Sequence, residues 1–185
     1  MNYVGKIKEY LKQEIEAIES LDLDKVSEVM NVLENARLNG RRIYICGNGG
    51  SGSTASHFCC DFNKVCDNKN EKYSIECLND NVPTILAVTN DYGYDEVFRY
   101  QLKNKMKKDD IFIGISGSGN SMNVVNAMDY ANSIGGITIA IVGYDGGKIN
   151  KMANYSLHVN IDNMQISEDV HLILNHVMTY ILRNM

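Results

Sequence analysis

The chain has 185 residues, 44% of them apolar and 22% charged, with a formal net charge of -5. That length and apolar content suit one domain, residues 1–185, with a sizeable core, and exclude an extended disordered chain. The balance of 18 basic against 23 acidic residues argues against a nucleic-acid partner, and no apolar run approaches the roughly 20 residues that span a bilayer, so no membrane partner is expected.

Residues 1–38 read as a helical arm. Ile7, Leu11, Ile15 and Ile18 form one apolar stripe. Val26, Met30, Val32, Leu33 and Leu38 form a second. Leu21-Asp22-Leu23-Asp24 separates two helices, with an aspartate as N-cap, and Asn39-Gly40 stops the second. The arm is expected either to cross a partner subunit or to pack on a sheet edge.

Alternating strand and helix signals follow. Ile43–Cys46 predicts a strand and Ser53–Asn63 a helix. Tyr73–Cys77 reads as a strand, and Thr84–Val88 as a short helix or strand. Asp95–Met106 predicts a helix, Ile111–Ile115 a strand, Ser121–Ile134 a helix and Ile137–Val142 a strand. A short helical turn follows Gly143–Lys148. Tyr155–Val159 predicts a strand and Ser167–Met185 a final helix. Short, unbroken β-branched runs such as Ile137-Thr138-Ile139-Ala140-Ile141-Val142 are those of buried parallel strands. Alternation with helices implies an α/β fold, a mostly parallel sheet covered on both faces. Such sheets bind ligands at the carboxyl ends of their strands.

Two glycine-rich turns fall at those ends. The first is Gly47-Asn48-Gly49-Gly50-Ser51-Gly52, after the first strand. Glycine lets the backbone turn sharply and approach a ligand. The helix start that follows offers N–H groups and partial positive charge to an anion. The second, Ser116-Gly117-Ser118-Gly119-Asn120-Ser121, repeats this logic with three serines and reads as a phosphate cradle. The plainer alternative is a strand-to-helix turn capped by Ser121. Neither turn is a P-loop or a dinucleotide fingerprint, so no nucleotide cofactor is expected.

His57 and Asp61 lie four apart on the helix after the first turn and share a face. Glu168 and His176 on the last helix differ by eight residues, roughly 800° of rotation, and also share a face; His171 lies close to it. Two histidines and two carboxylates from two helices suit either a metal or a general acid–base pair. The ordinary alternative is surface charge and hydrogen-bonded histidine. The five cysteines, Cys46, Cys59, Cys60, Cys66 and Cys77, are odd in number and lack a Cys-x-x-Cys pair. They read as reduced thiols of a cytoplasmic protein.

Together, Gly47–Ser51 with downstream His57, Asn90-Asp91-x-Gly93, the Gly114–Ser121 turn, Asp145-Gly146-Gly147-Lys148 and the terminal Glu168-Asp169-x-His171 helix resemble the sugar isomerase (SIS) family, and within it the phosphoheptose isomerases. The resemblance implies a three-layer αβα sandwich, and a homotetramer with active sites at subunit interfaces. It implies conversion of sedoheptulose 7-phosphate to a heptose phosphate, and in some members one zinc ion per active site. By position, Ser51, Ser116, Ser118 and Ser121, with Gly49, Gly50 and Gly117, would hold the phosphate. Asn48, Asp91 and Glu168 would contact the sugar. Asp61 would be the base and His176 the acid, and His57, Asp61, Glu168 and His176 the metal ligands.

Two positions depart from the family. Asp61 stands where a glutamate is usual, and one lost methylene moves a base by about 1 Å, a displacement that can slow catalysis roughly 100-fold. Glu168 stands where a glutamine is usual and adds negative charge. The leading expectation is aldose–ketose isomerisation through an enediol(ate). The alternative is a non-catalytic SIS module that binds a phosphosugar or a protein.

Overall fold

Strands β1 (Arg42–Gly47), β2 (Ser74–Cys77), β3 (Ile111–Ser116), β4 (Ile137–Val142) and β5 (Tyr155–His158) form one sheet in the order β2-β1-β3-β4-β5. All the pairings are parallel, with Ile43 opposite both Ile75 and Ile111, and Ile139 opposite Tyr155. The structure is a computed structural model and describes residues 1–66 and 70–184.

Side-chain alternation divides the core in two. Ile43, Ile45, Ile113, Ile139 and Ile141 face one side and are buried. There they are covered by α2 (Leu23–Leu38), α3 (Gly49–Val65) and α8 (Met164–Arg183). Tyr44, Cys46, Phe112, Ala140 and Val142 face the other side. That face is covered by α4 (Val82–Tyr92), α5 (Val97–Lys103), α6 (Met122–Ser133) and α7 (Gly147–Met152). The result is the expected αβα sandwich, with every strand parallel.

The two N-terminal helices have different roles. Asp22 caps α2 by accepting from the Lys25 N–H at 3.1 Å, as its position predicts. The helix then sends Val26, Val29, Leu33 and Ala36 into the main core. Helix α1 (Val4–Glu19) packs Ala17 and Ile18 against Ile166 and Val170 of α8, while Tyr10 bonds to Asp169. Its other face leaves Tyr3, Val4, Ile7, Leu11 and Ile15 at least half exposed. The exposed stripe of the arm thus belongs to α1.

Several boundaries differ from expectation for identifiable reasons. Helix α3 starts at Gly49, with the glycines forming its first turn, so the ligand loop is itself the helix start. Residues 82–92 are helical because Asn81 accepts from the Thr84 N–H at 3.1 Å and Pro83 occupies the first turn, where its missing N–H is harmless. The stretch 95–106 is shorter as a helix, a 3₁₀ turn at Tyr94–Glu96 leading into α5. Helix α8 begins at Met164, capped by Asn163, which accepts from the N–H groups of Gln165 and Ile166 at 3.1 and 3.3 Å. Met185, its expected end, lies outside the described residues. No helix among the described residues is long and apolar enough to cross a membrane.

One histidine belongs to the core. His171 of α8 is fully buried, and neither ring nitrogen has a good hydrogen-bond partner. Burial pushes its pKa down from 6.5 to about 4, with a contact to the Val142 backbone opposing and the charge of His158 adding to the shift. The folded state therefore holds His171 neutral, and unfolding lets it take up a proton. Its contribution to stability is fully present above pH 6.5 and is lost as pH falls from 6.5 to about 4, a total on the order of 3 kcal/mol. His171→Leu is expected to flatten that part of the pH dependence. Urea unfolding of both proteins at pH 7 and pH 4.5 measures it, with the wild type losing about 2–3 kcal/mol more than the variant.

Candidate active site

The strand order reverses between β1 and β3, which pair from Ile43 with Ile111 to Gly47 with Ile115. Crossovers leave these two strands in opposite directions, so a crevice opens above their carboxyl ends. Both glycine-rich turns sit there. They enclose a cavity of about 270 Å³ lined by Asn48–Ser51, by Ser116, Gly117, Ser118 and Ser121, and by Met164 and Glu168 of α8.

The first turn is held from behind. Asn79 donates to the Gly47 carbonyl at 2.7 Å and accepts from its N–H at 3.1 Å, extending the sheet pattern by one side chain. Asn48 and the buried Asn123 exchange amide hydrogen bonds of 2.9 Å each way, and the Tyr94 hydroxyl donates to Asn48 Oδ1 at 2.8 Å. Gly49 has a φ of +55°, which favours glycine. At Gly50 an added Cβ would collide with the Glu168 carboxylate, so this backbone is bare where α8 passes it.

The second turn is braced likewise. The Gly119 N–H donates to Ser116 Oγ at 3.1 Å, and the Asn120 N–H to Ser118 Oγ at 3.2 Å. The Gly119 carbonyl accepts from the N–H groups of Lys148 and Ile149 at 2.9 and 3.1 Å. The Asp145–Lys148 motif therefore supports the turn. Ser121 stands at the N-cap of α6, yet its hydroxyl makes no capping bond; it lies 3.3 Å from Ser116 Oγ. Asn48 at the N-cap of α3 makes no side-chain capping bond either. Ser121 thus occupies the cap position without a capping bond, and two helix starts without side-chain caps and several hydroxyls face one cavity, an arrangement that suits an anion.

A second group lies farther along α3 and α8. These helices run side by side in the same direction: Gly50 meets Glu168, His57 meets His176, and Asp61 meets Asn175. Asp61 Oδ2 lies 3.2 Å from His57 Nε2 and 3.9 Å from His176 Nε2, and the two imidazole nitrogens are 3.5 Å apart. An adjoining cavity of about 270 Å³ is also lined by Thr179, Tyr180 and Arg183, none of which the sequence singles out. Ligand atoms about 2.0–2.1 Å from a tetrahedral zinc stand about 3.3 Å apart. Two of the three spacings in the set His57, Asp61, His176 are near that value and the Asp61–His176 spacing of 3.9 Å is longer; among the described residues these three form a group that could hold a metal.

Other expected residues lie elsewhere. Glu168 is outside this group; its carboxylate faces Gly50, because eight residues of helix place it about 12 Å along the axis from His176. Asp91 is exposed at the end of α4, where it accepts from the Asn90 amide at 2.8 Å, and does not line the glycine-turn cavity. His171 is in the core. Burial pushes the Cys77 thiol up to about 11 and raises Cys46 and Cys59 as well, which suits packing and not nucleophilic attack. Asn79, Asn123, Tyr94 and Asn175 were missed by the sequence reading.

Comparison with known proteins agrees with this fold. The SIS domain family matches residues 2–143. The phosphoheptose isomerase of Helicobacter pylori is 34% identical over 171 residues, 92% of this chain and 87% of that protein. That of Aliarcobacter butzleri is 34% identical over 183 residues, 96% and 95% of the two chains. The solved phosphoheptose isomerase of Neisseria gonorrhoeae superposes over 100% of both chains with a TM-score of 0.91 at 27% identity. The chain belongs to the SIS domain family, among the phosphoheptose isomerases.

Proposed function

We propose that this protein is a sugar-phosphate isomerase that converts sedoheptulose 7-phosphate to an aldoheptose 7-phosphate. The observation that carries this reading is that α3 and α8, which hold the His57–Asp61–His176 group, also border the anion cradle completed by the second glycine-rich turn. One end suits a phosphate and the other suits proton transfer.

The phosphate is assigned to Ser51, Ser116, Ser118 and Ser121 with the N–H groups of Gly49, Gly50 and Gly117. Asn48 and Glu168 are assigned to the sugar, a carboxylate such as Glu168 accepting from its hydroxyls; Asp91, which lies outside this cavity, would contact the sugar of a site at a subunit interface. Asp61 takes the proton from C1 of the ketose, and the electron pair moves to form the enediol(ate). The same carboxyl returns the proton to C2. His176 moves the hydroxyl proton from O1 to O2, so that the carbonyl shifts by one carbon and atoms balance. In a metal-bound form His57, Asp61 and His176 would instead hold a zinc ion, which would stabilise charge on the substrate oxygens in place of direct proton transfer by those metal-bound atoms.

Turnover of sedoheptulose 7-phosphate, followed by formation of the aldose, tests the reading; its absence across a phosphosugar panel would leave the non-catalytic SIS module. Ser118→Ala and Ser121→Ala together are expected to raise KM strongly. Each lost hydrogen bond to a charged group is worth about 1.5–3 kcal/mol, or roughly 10- to 150-fold. An unchanged KM would remove the phosphate from this cradle.

For the metal, the expected result is close to one zinc per chain in protein purified without chelator, and loss of zinc in His57→Ala. Elemental analysis measures both. Less than about a tenth of an equivalent, with activity surviving chelation, would remove the metal from the reading.

The reading includes a homotetramer with sites at subunit interfaces and a cytoplasmic location. Its support is the exposed stripe of Tyr3, Val4, Ile7, Leu11 and Ile15 on α1, and of Val177, Tyr180 and Ile181 beside the His57–His176 group. Contiguous apolar surface of that kind marks an interaction site. The free state of all five cysteines supports the location. Light scattering at micromolar concentration is expected to give four times the chain mass, and a monomer mass would refute the assembly.

A further inference from the structure

Asn175 has no role in the chemistry above, yet its placement is unusual. It is fully buried in α8, one residue before the exposed His176. Its Nδ2 donates to Asp61 Oδ2 at 2.9 Å, while its Oδ1 is buried with no hydrogen-bond partner. The carboxylate fixes the orientation of the amide, since an amide oxygen turned toward Asp61 would be repelled. A half-satisfied amide is a poor core residue by itself. An apolar side chain of similar size would fill the same space without that penalty.

Asp61 shows what the amide supplies. Its Oδ2 is approached by three groups: Asn175 at 2.9 Å, His57 at 3.2 Å and His176 at 3.9 Å. The side chains of His57 and His176 are 43% and 53% exposed, so of the three groups Asn175 alone is held in the core. Asn175 approaches from the packed side. Its own backbone carbonyl is tied to Thr179 Oγ1 at 2.8 Å, and it cannot move without α8.

We infer that Asn175 is a positioning residue that holds Asp61 Oδ2 at the gap between the two imidazoles. This rests on the proposed role of Asp61 as the base. A group anchored in the core from one side, with two exposed imidazoles on the other, gives the carboxylate one preferred orientation before substrate arrives.

The test is Asn175→Leu, alike in branching, bulkier and unable to donate, with Asn175→Ala as a second variant should leucine not be accommodated. Turnover and KM for sedoheptulose 7-phosphate, the melting temperature and a crystal structure are measured for each. The expected result is a fall in kcat of about 10- to 100-fold with KM within about twofold. The crystal structure is expected to show Asp61 turned away from the imidazoles, with the melting temperature unchanged or raised. A purely structural residue would lower the melting temperature and leave kcat of the folded protein intact. A kcat within twofold of wild type, or an unmoved Asp61, would overturn the inference. If the wild-type protein itself shows no turnover, the isomerase reading fails, and the position of Asp61 in the variant crystal alone decides the role of Asn175.

Discussion

β1 and β3 pair directly with each other through five residues, and no strand intervenes where the chain reverses its winding. Both strands therefore end side by side, and the helices that follow them diverge to opposite faces of the sheet. Two helix starts are thereby forced toward one point, one from each face. Backbone N–H groups that would otherwise need caps are left facing a common cavity. Asn79, Asn123, Tyr94 and the α7 start then act as scaffolding, satisfying the polar groups behind each turn so that the front remains available.

The second constraint is the lengthwise contact between α3 and α8. Helix α3 carries the first glycine turn at its start and His57 and Asp61 further on; α8 carries Glu168 and His176 in matching order. Because the helices run in the same direction, each site residue of one meets its counterpart on the other. The core beneath them, built from Phe58, Phe62, Leu174, Met178 and the isoleucines of β1 and β3, holds that register. A change of one turn in either helix would separate the histidines while leaving the anion cradle in place.

Much of this was legible in the sequence because it is local. Runs such as Ile137–Val142 are short and β-branched, and the glycine clusters after such strands mark where the chain turns into the next helix; the parallel sheet and the place of both ligand-facing segments follow. His57 and Asp61 share a helix face by spacing alone. The sequence reading failed where partners are distant. Asn175 meets Asp61 across 114 positions and Asn48 meets Asn123 across 75, and nothing local marks either asparagine as more than a polar residue. The expectation for Glu168 failed differently. Sharing a face with His176 fixed its direction around the helix but ignored its height along it.

Height along the helix also has a meaning for selection among substrates. Helical rise is fixed at 1.5 Å per residue, so the separation between the anion cradle and the histidine pair, about 12 Å measured along α8 from Glu168 to His176, is set by covalent geometry and does not adapt. The two helices act as a ruler. In the proposed reaction, a sugar phosphate would bring its carbonyl to Asp61 only if its carbon chain has the length that spans the gap. On that reading a shorter sugar phosphate would dock at the same serines and stop short of the proposed base. Such a molecule would occupy the site as an inhibitor and not as a substrate, without any group in the protein having to recognise or reject it.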